Sequence, residues 1–325
     1  MRRIVIFGIL IFILITNCNA AKQDYRQLMR ELVISISKEA REHNPEFLVI
    51  GQNALELVTV NGMPNGKVAK DYINALDGTG IEELFYGFEN HDGIKTPPEI
   101  TRYFLSYLKI FSQHKKPVLV IDYVKTKNQA QDSYKLSLQK GFICFQTNRA
   151  CSIIPQWMFN KNEDPVIKLQ HAKNFLYLIN PDNFKSKEQF IQVLSNSWYD
   201  VLIVDAFFWD ELLTKEDVAQ LQKKPNGARR IVIAYMSVGE AEEYRYYWKK
   251  EWKKNKPAFL EKENPDWKGN YKVRYWDSQW HVILYGKGEN KFTDSYLGKI
   301  VYAGFDGVYM DVLDAAMYFE MKKNK

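Results

Sequence analysis

Short, continuous runs of apolar residues alternate with stretches of helical periodicity along most of this chain. The first helical stretch, "DYRQLMRELVISISKEAREHNP", has apolar residues at Leu28, Leu32 and Ile36, a spacing that predicts a helix ending at Pro45. The apolar runs that follow predict eight strands: "FLVIGQ" (47–52), "IEELFYG" (81–87), "PVLVIDYV" (117–124), "FICFQTN" (142–148), "DVLIVDAFF" (200–208), "RIVIAYMSVG" (230–239), "YKVRYWD" (271–277) and "DGVYMDVLD" (306–314).

The stretches between these runs carry helix start signals. "PPEITRYFLSYLKIF" opens on prolines, "SKEQFIQVLSNSWY" has Ser186 and Gln189 in capping-box spacing, and "TKEDVAQLQKK" opens on Thr214. Runs such as "VLVI" and "VLIV" are typical of parallel strands covered on both faces. Eight strand–helix repeats in 325 residues predict the α/β class and a single-domain (β/α)8 TIM barrel over 47–325. An open doubly wound sheet is the alternative, but no GxGxxG or P-loop motif supports it.

The N-terminus predicts export. Met-Arg-Arg precedes "IVIFGILIFILIT", an apolar run of 13 residues, which is too short for a comfortable membrane span and is typical of a signal peptide. Cys18 follows in "ITNC", which resembles a relaxed lipoprotein box with Asn17 in place of the usual small residue. We therefore expect a lipoprotein signal peptide over 1–18, lipidation of Cys18, and a tether with an N-terminal helix over 19–46. Cleavage after Ala20, which would give a secreted or periplasmic protein, is the alternative.

Composition narrows the classes of function. Hydrophobic residues make up 46% of the chain and aromatic residues 14%, enough for a large core with aromatic rings to spare. The net charge of +6 comes from dispersed lysines and not from one arginine-rich block, which argues against nucleic-acid binding. The five histidines are isolated from one another, so we expect no metal or other cofactor. Cys144 and Cys151 would be oxidised in an exported chain, or else free and buried.

Acidic and aromatic residues lie at the ends of the predicted strands, where a (β/α)8 barrel carries its chemistry. These ends hold Gln52, Asp122 with Tyr123, Asp205, Tyr235 with the turn bearing Glu240, Glu242 and Glu243, Trp276 with Asp277, and Asp311 with Asp314. A single aspartate after a strand commonly caps the next helix. Carboxylates after five strands of one barrel favour a site instead. Paired carboxylates beside sugar-stacking rings are what glycosidic cleavage requires, namely a proton donor and a base or nucleophile.

One glutamate stands out in the acidic turn "GEAEEYR". If a helix begins near Ala241, Glu242 lies in its first turn, where the helix dipole favours a carboxylate. Arg245 would pair with it on the same face, and both effects favour a nucleophilic or electrostatic role. Asp205, hemmed in by aromatic residues, is then the expected proton donor. Glu240 and Glu243 are expected to face water, and the simpler alternative is that all three glutamates form the solvated start of a surface helix.

Four segments resemble the motifs of a known family: "AYMSVGEAEEYRYYW", "ENPDWKGNYKVRYWDSQW", "YDVLIVDAFF" and "GFDGVYMDVLDAAMYF". The family consists of exported glycoside-hydrolase-like barrels related to the endo-α-1,4-polygalactosaminidases (glycoside hydrolase family 114). The resemblance extends from about residue 47 to 320 and implies a TIM barrel that uses carboxylates. Its motif positions fall on Asp205, Tyr235, Gly239, Glu242, Arg245, Asp277, Gly304 to Val308, and Asp311. The chain departs at "GVYMDV", where polygalactosaminidases read "GVEPDN", so Tyr309 replaces a glutamate and Val312 an asparagine.

The resulting hypothesis is an endo-acting glycoside hydrolase for an amino-sugar-containing polysaccharide or glycan, with an α-linked galactosamine-type substrate. Its catalytic residues would be Asp205, Glu242 and Asp311. Its substrate-binding residues would be Gln52, Asp122, Tyr123, Tyr235, Arg245, Trp276 and Asp277. We expect a monomer attached to the membrane of the cell envelope by its lipid. The alternative is a non-catalytic glycan-binding or adhesion lipoprotein on the same barrel, which scattered or ion-paired carboxylates would favour.

Overall fold

The computed structural model of the protein describes residues 23–286 and 291–323. The predicted signal peptide and Cys18 therefore lie outside the described residues. Within those two ranges, none of the helices combines the length and the apolar character that a membrane span requires.

Eight parallel strands form the barrel. They are β1 (Leu48–Gln52), β2 (Gly78–Glu82), β3 (Val118–Tyr123), β4 (Ile143–Thr147), β5 (Phe175–Leu178), β6 (Val201–Asp205), β7 (Ile231–Ser237) and β8 (Gly307–Asp311). Neighbours in the chain pair in parallel, and β8 returns to β1 with Leu48 opposite Gly307. Between β4 and β5 the described residues form no ladder, so the barrel has one seam. The predicted TIM barrel is confirmed.

Helices cover the outside of the barrel. They are α1 (Tyr25–His43), α2 (Lys70–Ala75), α3 (Pro98–Gln113), α4 (Lys127–Gln139), α5 (Lys187–Ser195), α6 (Lys215–Leu221), α7 (Ser278–Tyr285), α8 (Tyr296–Tyr302) and α9 (Ala315–Lys323). The start signals act as expected, since the side chains of Ser186 and Thr214 accept hydrogen bonds from backbone N–H groups three residues on. Because helices cover the barrel outside and side chains fill it inside, all six residues of β3 are buried.

One predicted barrel strand is wrong and one was missed. The segment Asn270–Val273 is a strand, but it pairs antiparallel with Glu240–Glu242 and with Leu260–Glu263 in a small sheet that follows β7. The missing barrel strand is β5, "FLYL", which is fully buried. Four apolar residues after a long loop carry too little periodicity to distinguish a strand from a buried turn.

Two local predictions, for the turn after β7 and for the end of β2, are also wrong. No helix begins near Ala241, because the backbone of Glu240–Glu242 pairs with Asn270–Val273 instead. The second strand ends at Glu82 and not at Gly87, since it starts earlier, at Gly78. Its glycines weaken the strand signal, yet Gly80 is needed there because a Cβ would collide with the Tyr309 hydroxyl.

Buried cations close the N-terminal end of the barrel. Arg230 is fully buried and donates to the backbone carbonyls of Leu194, Ser195, Ser197, Tyr199, Leu221 and Lys223. Burial lowers its pKa to about 10, although the charge of Asp200 acts in the opposite direction. Lys224 and Asp200 form a fully buried ion pair of 2.6 Å beside it. Charged groups here hold helix ends and loops in place.

Candidate active site

A cleft of about 710 Å³ opens at the C-terminal ends of the strands. Its wall is rich in carboxylates: Glu56, Glu82, Glu83, Glu89, Asp205, Glu240, Glu242, Asp311 and Asp314. Only three cationic side chains, those of Arg149, Arg245 and Lys272, line it. The cleft is therefore acidic in a chain whose overall charge is +6, which favours ligands that carry positive charge or many hydroxyl groups.

Arg245 holds two of the predicted catalytic carboxylates. Its Nη1 and Nη2 donate to Asp205 Oδ1 and Oδ2 at 2.8 and 2.7 Å, and its Nε donates to Glu242 Oε2 at 2.6 Å. Burial acts to lower the pKa of Arg245, but Asp205 and Glu242 outweigh burial and raise it well above its usual value. The predicted pairing of Glu242 with Arg245 is confirmed. It arises from a buried turn after a strand and not from a helix start.

The two carboxylates differ in their access to the cleft. The Asp205 side chain is 14% exposed, whereas the Glu242 side chain is 1% exposed. Glu242 Oε1 also accepts a hydrogen bond of 2.7 Å from the Tyr244 hydroxyl, so both of its oxygens are occupied. Both oxygens of Asp205 accept hydrogen bonds from the guanidinium group, a bidentate contact that does not fit its predicted role as proton donor.

Asp311 is in a different environment. It is the last residue of β8, and its Oδ2 accepts a 2.8 Å hydrogen bond from the Tyr235 hydroxyl. Burial raises the pKa of Asp311 to about 8, and the negative charge of Glu82 acts in the same direction, while the Tyr235 hydrogen bond opposes it. A carboxyl group with this pKa is largely protonated at neutral pH and can donate a proton.

Four tyrosines from β3, β5, β7 and β8 form a layer inside the barrel at the floor of the cleft: Tyr123, Tyr177, Tyr235 and Tyr309. The hydroxyls of Tyr123 and Tyr235 donate to Glu82 and Asp311, and that of Tyr177 donates to Gln52. The Tyr309 hydroxyl is buried without a hydrogen-bond partner among the described residues. Its ring packs on Tyr177 with 5.5 Å between centroids. The chain thus places a core aromatic residue where the related polygalactosaminidase motif has a glutamate.

The structure brings six of the ten residues predicted for catalysis and substrate binding to the cleft wall: Tyr123, Asp205, Tyr235, Glu242, Arg245 and Asp311. Gln52 and Asp122 lie beneath it and are fully buried. Asp122 accepts hydrogen bonds from the backbone N–H groups of Phe85 and Tyr86, so it shapes the loop after β2. Burial raises the pKa of Asp122 to about 6. These two positions support the site and do not line it.

Trp276 and Asp277 lie away from the cleft, which corrects their prediction as sugar-binding residues. Trp276 packs on Tyr25 of α1 and Phe319 of α9, with ring centroids 5.1 and 4.8 Å apart. Asp277 caps α7 by accepting a 2.8 Å hydrogen bond from the Gln279 N–H. The physical reason is that their segment does not enter the barrel, so its end does not reach the barrel mouth.

The prediction that Glu240 faces water is also wrong. Glu240 is 2% exposed, pairs with Lys272 at 3.0 Å, and accepts a 2.8 Å hydrogen bond from Asn264. Glu243 is partly buried and pairs with Lys253 at 2.6 Å. Pairing of the turn with the small sheet buries carboxylates that a surface helix would have left in solvent.

Sequence reasoning missed Glu82, Tyr244 and Trp267. Glu82 lines the cleft at the end of β2 and was hidden by the misplaced strand boundary. Tyr244 and Trp267 are 54% and 55% exposed and also line the cleft, so their rings are accessible to a ligand. The signal for Trp267 was present in "ENPDWKGN", a polar turn that carries one exposed aromatic residue.

Residues 178–324 match the family model of glycoside-hydrolase family GH114. Over this range the chain is similar to GH114. The resemblance expected from the motifs is confirmed there. The matched range contains Asp205, Glu242, Arg245 and Asp311, whereas β1 to β4, and Glu82 with them, precede it.

Curated relatives match part of the chain. Uncharacterized proteins of Methanocaldococcus jannaschii and Deinococcus radiodurans are each 39% identical, over 133 and 125 residues, and one of Thermotoga maritima is 33% identical over 126 residues. These alignments cover 40%, 38% and 39% of this chain, but only 34%, 36% and 36% of the relatives. The match spans about a third of the length of each relative, so the similarity to these proteins concerns only part of each chain.

Proposed function

We propose that the protein is a glycoside hydrolase in which Asp311 protonates the leaving glycosidic oxygen. The observation that carries this proposal is a strand-end carboxyl group with a pKa of about 8 in the same cleft as two carboxylates held by an arginine. Environments that separate the protonation of neighbouring carboxylates are how glycosidases obtain an acid and a base at one pH. The GH114 similarity of residues 178–324 supports the same reaction class.

Asp205 and Glu242 would act through charge. Cleavage of a glycosidic bond passes through a transition state with positive charge on the sugar ring, which a fixed carboxylate stabilises. Asp205 is the more accessible of the two, so we propose that it contacts the sugar. Glu242, buried against Arg245 and Tyr244, would position that guanidinium group and with it Asp205.

The proposed substrate is an amino-sugar polymer with α-linked galactosamine units, cleaved within the chain. The acidic wall supports it, because protonated amino groups on the sugars would be attracted to unpaired carboxylates. Exposed rings at Tyr244 and Trp267 would stack on the apolar faces of sugar rings. The linkage and the endo mode rest on the resemblance to polygalactosaminidases.

The ion pairs of Asp205 and Glu242 are what a glycan-binding protein without activity would also display. Asp311 favours the hydrolase, because within the described residues it forms no ion pair with a lysine or arginine, and its raised pKa suits proton transfer.

Defined oligomers of α-1,4-linked galactosamine and N-acetylgalactosamine test the proposal. Mass spectrometry should detect shortened chains with the wild type, and Asp311→Asn should lower kcat by about 10²- to 10⁴-fold. Asp71→Asn, the same change at an exposed residue of α2, is the matched control and should show the activity of the wild type. Binding of these oligomers without cleavage by the wild type would refute the hydrolase and favour the glycan-binding alternative.

We also propose that the protein is exported as a monomer and anchored to the membrane of the cell envelope through lipid on Cys18. The charged N-terminus, the apolar run and the cysteine after it support this. Labelled palmitate should be incorporated into the wild type and not into Cys18→Ala. Equal labelling of both would refute lipidation at this residue.

A further inference from the structure

Backbone strain is concentrated around the cleft. Ten described residues other than glycine have a positive φ, and seven of them line the cleft. Asn53 is hydrogen-bonded to Glu82, Glu83 follows Glu82, and Val312 follows Asp311. Non-glycine residues in this region are disfavoured, and a β-branched residue such as Val312 is the most disfavoured. Such strain accumulates where a precise side-chain position matters. The positions of Glu82 and Asp311 are therefore maintained at a cost in conformational free energy.

Glu82 and Asp311 have matching local structures. Each is the last residue of its strand, and each is followed by a residue with positive φ, 58° at Glu83 and 61° at Val312. Each also accepts a hydrogen bond from a tyrosine hydroxyl of the layer beneath, from Tyr123 for Glu82 and from Tyr235 for Asp311. Two strand ends are thus built alike, although only the second carries a motif of the related family.

The topology places these two carboxylates at the same mouth. β1 lies between β2 and β8, with Gln52 opposite Gly80 and Gly51 opposite Met310. Neighbouring strands are about 4.8 Å apart, so the backbones of β2 and β8 are separated by about 10 Å there, a gap that two acidic side chains can span around a sugar. Among charged groups, Glu82 has the largest effect on Asp311.

Glu82 also differs from the other carboxylates in its partners. Its Oε2 accepts a 2.8 Å hydrogen bond from Asn53 Nδ2, and the remaining oxygen accepts from Tyr123. Within the described ranges it forms no ion pair with a lysine or arginine, whereas Asp205 and Glu242 share Arg245. Two neutral donors thus orient Glu82 without pairing it with a cation, which leaves its oxygens suited to act as a base or nucleophile.

We infer that Glu82 is the second catalytic carboxylate and acts opposite Asp311, an inference that rests on the proposed glycoside hydrolysis. In the reaction, the bond between the anomeric carbon and the leaving oxygen breaks, and that oxygen takes the proton of Asp311. The electron pair for the new bond comes from a water molecule whose proton Glu82 accepts, or from Glu82 itself. In the second case water then cleaves the resulting glycosyl ester, its proton passes to the Asp311 carboxylate, and Glu82 is released. Asp205, fixed by Arg245, then serves binding and charge stabilisation.

Turnover of the galactosamine oligomers tests this role. Glu82→Gln should lower kcat by about 10³-fold, and azide should restore cleavage by Glu82→Ala with a glycosyl azide as product. Glu46→Gln is the matched control, because Glu46 is exposed and precedes β1 at the opposite end of the barrel. If Asp311→Asn is inactive while Glu82→Gln retains full turnover, the role of Glu82 is refuted and the hydrolase stands. An inactive wild type refutes both.

A titration tests the pairing independently of activity. Carbon-13 NMR of the aspartate side chains should show the pKa of Asp311 lower in Glu82→Gln than in the wild type, because a nearby negative charge is removed. Glu82→Asp keeps the charge, so it should keep the raised pKa of Asp311 while turnover falls. An Asp311 pKa unchanged by Glu82→Gln would refute the pairing.

Discussion

Two buried arginines at opposite ends of the barrel are held in opposite ways. Arg230, at the N-terminal end, donates to six backbone carbonyls, whereas Arg245, at the C-terminal end, donates to the carboxylates of Asp205 and Glu242. The carbonyls belong to the main chain, so Arg230 holds the backbone of helix ends and loops in place. The carboxylates belong to side chains that line a cleft, so Arg245 holds two negatively charged groups in position. The same residue type thus stabilises the fold at one end and prepares a site at the other.

Acidic residues show the same contrast. Asp200 is fully buried and paired with Lys224, so its charge is compensated. Asp311 receives hydrogen bonds from a tyrosine and a backbone N–H, and it is raised in pKa by burial and by another carboxylate. The N-terminal end satisfies its buried charges, whereas the C-terminal end leaves one acid protonated near neutral pH. Variants at the two ends should therefore differ in their effects on stability and activity.

The largest expected effect is on folding. Arg230→Met should lower the free energy of unfolding by about 4 kcal/mol or more, because six carbonyls lose a charged donor inside the protein. Urea denaturation measures this loss, and Arg102→Met, at an exposed residue of α3, is the control that should stay within about 0.5 kcal/mol of the wild type. A small loss in Arg230→Met would mean that water or main-chain rearrangement satisfies those carbonyls, and the contrast between the two arginines would fail.

Arg245→Met should affect activity more than folding. We expect a loss in kcat of about 100-fold or more, because Asp205 loses its orientation, with destabilisation of about 3 kcal/mol from two unpaired carboxylates. Adding Glu242→Gln should recover part of the stability by removing one of those charges, and should not recover turnover. Calorimetry and kinetics on both variants measure this. Equal activity in Arg245→Met and the wild type would remove Arg245 from the site.

The pH dependence should follow Asp311. Its folded pKa of about 8 lies above the usual aspartate value of about 4, so the native state binds a proton that the unfolded state releases. This contribution to stability is complete below about pH 4 and is lost as the pH rises towards 8. The value of kcat/KM should stay nearly constant up to about pH 8 and then fall about tenfold per pH unit, as Asp311 loses its proton. Asp311→Asn should abolish this part of the stability profile. An unchanged profile would contradict the assignment.

The smallest effect is expected at the rim. Trp267→Ala should raise KM by about fivefold with little change in kcat, because ring stacking contributes about 1 kcal/mol of binding. Trp209→Ala is the matched control, since Trp209 is 57% exposed and does not line the cleft. Equal KM values in Trp267→Ala and the wild type would place the sugar elsewhere in the cleft.

The barrel was largely predictable because continuous apolar runs mark strands that are covered on both faces. "YKVRYWD" misled because it alternates polar and apolar residues, which is typical of an antiparallel sheet with one exposed face. Asn270–Val273 is a strand of such a sheet. Because it is not a barrel strand, Trp276 and Asp277 do not lie at the barrel mouth as predicted. Apolar β5 was too short to stand out. Its burial comes from contacts with distant parts of the chain, which no local pattern encodes.

The site was predictable where strand ends were placed correctly. Asp205 and Asp311 end long apolar runs. The Glu242–Arg245 pair was expected from helical spacing, but a turn after a strand brings the two side chains together. Glu82 was missed because glycines weaken the strand signal of β2, and one of them, Gly80, leaves room for the Tyr309 side chain from β8. That requirement is a contact between strands more than two hundred residues apart in sequence, so only the folded chain reveals it.

The seam between β4 and β5 has a consequence for motion. Because the ladder is open there, the hydrogen-bonded order of strands runs from β4 through β3, β2 and β1 to β8, β7, β6 and β5. β1 and β8 are therefore the central strands, the farthest from either free edge. Amide hydrogen exchange should be fastest at the seam and slowest at this centre. Glu82 and Asp311 end the two strands on either side of β1. Local opening of the seam should therefore leave the relative positions of these two carboxylates unchanged.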